Sequence, residues 1–206
     1  MVDISSAVKA AEELDKGIGI LAKLVSKLKG NPDLAAQKLA QALNEIAKTL
    51  QVVDNAASEF LSLGIDTDAL EKNSKLLLEI EGGKLKAEVE RGRGHCHVIH
   101  DIYWKYLDKW FKKTFKKAEY SAVQKVFVRL GDADSDLFQQ LEEVASKLEK
   151  EAGEVLKLVQ NNEKANAKTR VLAAIAPLRP LRKTVARTMQ TLYSLQGRFV
   201  DIVAAV

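Results

Sequence analysis

Apolar side chains recur along this chain at alternating gaps of three and four residues, and that spacing decides its fold class. Ile4, Ala7, Ala11, Leu14, Ile18, Leu21, Val25 and Leu28 follow the rhythm from the start. Only a helix brings such positions to one face, because a strand would need alternation by two. Leu43, Ile46, Leu50, Val53, Ala57 and Phe60 repeat it, and so do Leu181, Val185, Thr188, Leu192, Leu195, Phe199 and Ile202. No proline interrupts the chain between Pro32 and Pro177, so long helices are allowed there. Runs of Val, Ile and Thr with period-two alternation are missing.

These features predict an all-α chain: an elongated bundle of long, mostly antiparallel amphipathic helices with heptad-like packing, forming one domain over residues 1–206. Asp3 or Ser5 caps the first helix, and Gly30-Asn31-Pro32-Asp33 stops it. The turn to the second helix is short, so the two form a hairpin. Leu63-Gly64 ends the second helix, and Asp66 or Asp68 caps a third that carries Leu70, Leu77 and Ile80. Residues 81–94 hold four of the eleven glycines and few apolar residues, and are expected to be a hinge, a kink or an exposed loop with at most a short helical turn at 85–91. A helix is expected from about 96 to 117, bending toward Leu130. Another starts at the caps Asp132 to Ser135 and runs past Asn161-Asn162 toward Ile175. Pro177 and Pro180 separate it from the last. The apolar end, Val200 to Val206, is either a buried last turn or the point at which a longer chain was cut.

Apolar residues make up 47% of the chain, enough for a core without disulfides or metal, and Cys96 is the only cysteine. The N-terminus lacks the pattern of a signal peptide, and no apolar run approaches the ~20 residues of a membrane span. A cytoplasmic location is expected.

Residues 103–117 are the most unusual stretch. Tyr103, Trp104, Tyr106, Trp110, Phe111 and Phe115 supply half of all the aromatics, interleaved with Lys105, Lys109, Lys112, Lys113, Lys116 and Lys117 against the single acid Asp108. On a helical wheel the rings take one half and the lysines the other. Either the rings fill the core and the lysines face water, or the segment is a contact surface for a partner, an anionic membrane or a nucleic acid. Charge is segregated further on as well. Residues 134–154 carry seven acids and two lysines, whereas residues 164–198 carry Lys164, Lys168, Arg170, Arg179, Arg182, Lys183, Arg187 and Arg198 and no acid. That basic third either balances the acidic helix within the bundle or docks an acidic partner or phosphates.

Candidate metal ligands cluster at His95-Cys96-His97 with His100 and Asp101. Their spacing sends the pairs in different directions, and no second cluster completes a set of four. Asp132, Asp134, Asp136 and Glu143 fall at calcium-loop positions, but Leu137 stands where such a loop needs glycine, which favours a helix cap. Gly17 and Gly19 either permit close helix approach or weaken their helix. Residues 18–29 resemble a cationic amphipathic peptide, which a packed heptad face explains equally well. Phosphate loops, zinc-protease motifs and nucleophile elbows are missing from the sequence, and Cys96 as a nucleophile has no independent support.

A non-catalytic helical-bundle module for protein–protein interaction, scaffolding or regulation is therefore expected. No cofactor and no small-molecule substrate is evident. A protein partner or self-association comes first, an anionic membrane surface second and nucleic acid third. The candidate interaction surface comprises Trp104, Trp110, Phe111, Lys105, Lys109, Lys112, Lys113 and Lys116, together with Arg179, Arg182, Lys183 and Arg187.

Overall fold

The computed structural model describes residues 5–25, 34–64 and 70–204, and within them the chain is helical with no strand. The helices are α1 (Ser5–Val25), α2 (Leu34–Ser62), α3 (Ser74–Glu81), α4 (Lys84–Arg93) and α5 (Cys96–Ile102). A π turn, Tyr103–Leu107, carries α5 into α6 (Asp108–Thr114). After it come α7 (Lys117–Gly131), α8 (Asp136–Gln160), α9 (Lys164–Ile175) and α10 (Leu178–Ala204). No helix among the described residues is long and apolar enough to cross a membrane.

The three-four seams are what the helices bury. Ala7, Ala11, Leu14, Ile18 and Leu21 of α1 are buried, as are Leu43, Ile46, Leu50, Ala57 and Phe60 of α2 and Leu181, Val185, Thr188, Leu192 and Leu195 of α10. Each fully buried large side chain contributes roughly 1.5–3 kcal/mol relative to an exposed one. One continuous apolar core draws on every helix. Helix α1 packs on α10 and α7, α2 on α10, α4 and α5, and α8 on α3, α4 and α9. Between α4 and α8, Lys86 pairs with Glu149 and Arg93 with Glu142, so residue numbers rise along one helix as they fall along the other. The caps expected at Asp3, Asp66 and Asp68 and the stop at residues 30–33 lie outside the described residues, as do the side chains of Ile4, Val25, Leu28, Phe199 and Ile202.

Four expectations about continuity differ from what is observed. Most of the 81–94 stretch is not a loop: α4 is a helix that buries Leu85, Glu88, Val89 and Gly92 between α2 and α8. Gly83 and Gly94 mark its ends, and Gly83 takes φ +98°, a left-handed conformation that glycine adopts without steric cost. The helix after Asp136 does not continue to Ile175, because Asn162 at φ 60° ends α8. The basic aromatic helix breaks at Phe115-Lys116, which are extended. Leu70 is buried but precedes the third helix, which begins at Ser74.

Gly17 and Gly19 also separate. A Cβ on Gly17 would lie 2.1 Å from Val126 Cγ2, so α1 and α7 meet there only because the side chain is missing. A Cβ on Gly19 would touch nothing within 4 Å.

Candidate functional site

In an α-helix, residues five apart lie on different faces. In the π turn the Asp108 N–H donates to the Tyr103 carbonyl, an i→i+5 bond, and the slower rotation brings these two side chains together. Tyr103 Oη then donates to Asp108 Oδ1 at 3.0 Å. From α7, Tyr120 Oη donates to the same oxygen at 2.7 Å, and Lys112 Nζ donates to Oδ2 at 2.8 Å while lying 5.5 Å from the centre of the Tyr120 ring. Burial pushes the Asp108 carboxyl up, but the hydrogen bonds from Lys112, Tyr120 and Tyr103 outweigh it and hold the group below its ordinary range. Burial, together with Tyr120 and the Asp108 carboxylate, pushes the Tyr103 phenol far up, so it stays a donor. The Tyr103 ring stacks on Phe127 at 5.1 Å, and Phe111 stacks on Phe115 at 5.1 Å.

This framework sorts the aromatic segment into two sets. Tyr103, Leu107 and Phe111, in steps of four, are fully buried. Phe111 is therefore a core residue, as the reading that the rings fill the core has it, and not part of the contact surface in which the sequence expectation also places it, because its place four residues after Leu107 puts it on the inward face. Trp110 is partly buried against it at 5.3 Å. Trp104 is 44% exposed and Tyr106 39%. The Trp104 ring meets the locked Tyr103 edge-on at 5.0 Å and leans on His100 at 6.3 Å, while Lys38 of α2 lies 5.2 Å from the centre of Tyr106. Lys105 pairs with Asp101 at 2.6 Å and Lys112 with Asp108. Lys109, Lys113 and Lys116 are exposed and have no acidic partner among the described residues.

The second half of the expected surface lies elsewhere. Arg182 pairs with Asp54 at 3.1 Å, near the far end of α2 from Lys38 and roughly 24 Å away along that helix. Arg187 pairs with Asp15 of α1 at 2.7 Å, and Thr188 Oγ1 donates to the same carboxylate. Arg170 is taken up by Glu151 and Lys164 by Glu71. Much of the basic third is thus balanced inside the fold. Arg179 and Lys183 have no such partner among the described residues.

The histidines do not converge. His95 Nδ1 lies 2.7 Å from Glu45 Oε2 on α2, His97 is exposed, and His100 faces Asp101 at 3.6 Å. Cys96 is buried, and burial together with the Asp132 charge pushes its thiol up to about 11, the reverse of what a nucleophile needs. No group of three or more metal-binding side chains gathers among the described residues. Asp132 Oδ1 instead accepts the Asp134 N–H in the turn before α8.

Compared with protein-family models, curated proteins and solved structures, the chain matches none. Its own geometry carries the functional reading. Sequence reasoning overlooked Lys38 and the role of Asp108. The signal for Asp108 was present, as the one acid in a run of lysines. Lys38 gave none, because its contact with Tyr106 crosses between helices.

Proposed function

We propose that the chain is a non-catalytic interaction module that binds an acidic protein surface through the exposed face of the π turn and α6. The observation that carries this reading is Trp104, a large ring turned to solvent yet braced by a neighbour that is itself fixed to a buried carboxylate. A ring held in place before binding loses little freedom on contact, and tryptophan and tyrosine are the side chains most often found at interface centres. Tyr106 stands in the same turn, with Lys109 and Lys113 beyond it as a basic rim.

A protein partner is favoured over a lipid surface by the composition of this face. Trp104 and Tyr106 are interspersed with the Lys105–Asp101 ion pair and with His97 and His100, whereas a helix lying in a bilayer interface presents an unbroken apolar stripe. Nucleic acid is disfavoured because the formal net charge is only +4 and many cations are consumed by internal ion pairs.

A photo-crosslinking residue at position 104, compared with one at the exposed Tyr193, tests this in the cells that make the protein. One discrete protein adduct is expected from position 104 alone, weakened at least tenfold by Lys109→Glu with Lys113→Glu. Adducts of equal yield at both positions would end the reading. Flotation with phosphatidylserine vesicles, abolished by Trp104→Ala, would replace it with a membrane role.

A further inference from the structure

We infer that the groove between the end of α2 and the start of α10 is a phosphate-binding site, separate from the Trp104 surface and independent of the function proposed for it. The groove encloses about 470 Å³. Arg179, Arg182 and Lys183 line it from α10, Asp54 and Leu61 from α2, and Ile175 from α9. Gly64 lets Ile175 approach, since a Cβ there would lie 2.2 Å from Ile175 Cδ1.

Charge is the first argument. Three cations and one carboxylate line this groove, and Asp54 is already engaged by Arg182 Nε at 3.1 Å. Two positive charges are left over, which match the charge of roughly −1.5 to −2 on a phosphate monoester. Arg179 and Lys183 stand four residues apart on one helix face, spaced to hold one anion between a forked guanidinium and an ammonium. Elsewhere in the basic third, Arg170 and Arg187 have carboxylates from neighbouring helices. Here the fold supplies one acid for three bases.

Position is the second argument. All three cations lie in the first two turns of α10, and Arg179 stands in the first, where the helix dipole is positive and favours acids and no acid is present. A cation set against this field, with two more beside it, gives up stability there, and such local conflicts concentrate at binding sites. A bound dianion would relieve both the mutual repulsion and the dipole mismatch. Leu61, Ile175 and Ala186 form an apolar floor suited to the non-phosphate part of a small ester.

Isothermal titration calorimetry of the full chain with sodium pyrophosphate at low ionic strength tests this. Saturable binding at one site is expected, weakened at least tenfold in Arg179→Ala with Lys183→Ala and changed less than twofold in Lys109→Ala with Lys113→Ala. All four side chains are exposed, so both double variants should keep the parent circular dichroism. Phosphatidic acid vesicles form a second arm: flotation that depends on Arg179 and Lys183, without pyrophosphate binding, would assign the phosphate to a lipid headgroup. Failure of both arms, or equal weakening by both double variants, would overturn the site. Neither result bears on crosslinking at position 104.

Discussion

Asp108 and Glu151 are both carboxylates facing a basic side chain, yet they belong to regions stabilised in different ways. Around Asp108 the ion pair is only the outer part of a buried network. Two phenols share one carboxylate oxygen, and behind them Tyr103, Phe111 and Phe127 pack ring on ring. Along α4, α8 and α9 most of the charged groups lie at or near the surface, with Glu88 and Glu149 the buried exceptions. Arg170 reaches Glu151, Arg93 reaches Glu142 and Lys86 reaches Glu149 across helix boundaries, above an apolar seam that does the packing. The first region is ordered around a buried carboxylate whose loss would leave the buried Tyr103 phenol unsatisfied. In the second, charge selects which helices lie side by side and adds little energy. The proposed contact surface sits on the first kind of region, where Trp104 is exposed yet rests on the fixed Tyr103 ring.

The largest effect should come from the aromatic stack. Phe111→Ala removes a fully buried ring from between Tyr103, Phe115 and Phe127 and should cost about 3–5 kcal/mol in urea unfolding. A cost below about 1 kcal/mol would mean that this corner collapses freely and is not the rigid base argued for it.

Asp108→Ala should come next, at about 2–3 kcal/mol, because the buried Tyr103 phenol loses its acceptor. Asp108→Asn keeps an acceptor and should recover part of that loss. Acid adds a second readout. The folded carboxyl lies below its unfolded value, so its stabilisation is present above that value, near pH 4, and disappears as pH falls through the folded pKa. The asparagine variant should therefore lose less stability than the parent on acidification below about pH 4. Identical acid limbs for the two proteins would remove Asp108 as the source of the network.

How much of this could be read in advance follows from what each feature depends on. The seams of α1, α2 and α10 were legible because burial of a helix face imposes its period on the sequence. Even Thr188 kept the phase, its hydroxyl satisfied by the Thr184 carbonyl and by Asp15. The π turn was not legible, because it exists to join Tyr103 to Asp108 under a phenol from α7. Helix α4 was missed for a related reason. Its sequence is too polar to announce a buried face, and Glu88 is buried beside Leu85 and Val89. The candidate surface was picked out in the sequence by its lysines and its tryptophans, of which Trp104 is exposed and Trp110 half-buried. It was not legible in its division, since the pairing of Arg182 with Asp54 joins positions far apart in the chain.

Between the two extremes lies Glu149, the edge carboxylate most like Asp108. It is buried, accepts the Lys86 backbone N–H at 2.9 Å and has the Lys86 ammonium at 3.8 Å. Glu149→Ala should cost about 1–2 kcal/mol, mostly from the backbone donor left without its acceptor. Lys86→Ala keeps that donor and should cost less. If both variants cost the same, the ammonium supplies the whole effect, and α4 is held to α8 by charge and not by satisfaction of a buried group.

The smallest effect should belong to Arg170 and Glu151, and it gives the sharpest test of the contrast. Two guanidinium nitrogens reach the carboxylate, Nε at 2.7 Å and Nη2 at 3.3 Å, a forked geometry on a half-buried pair at the helix edge. A double-mutant cycle with Arg170→Ala and Glu151→Ala should still give a coupling under about 1 kcal/mol, shrinking as salt is added. The reason is that water already solvates both groups before they meet, so the pair replaces hydration instead of relieving a buried want. A coupling as large as the Asp108 effect, and insensitive to salt, would show that the α8–α9 edge is ordered by the same means as the aromatic corner. Rigidity would then not single out the π turn, and Trp104 would lose the feature that distinguishes it from the other exposed rings.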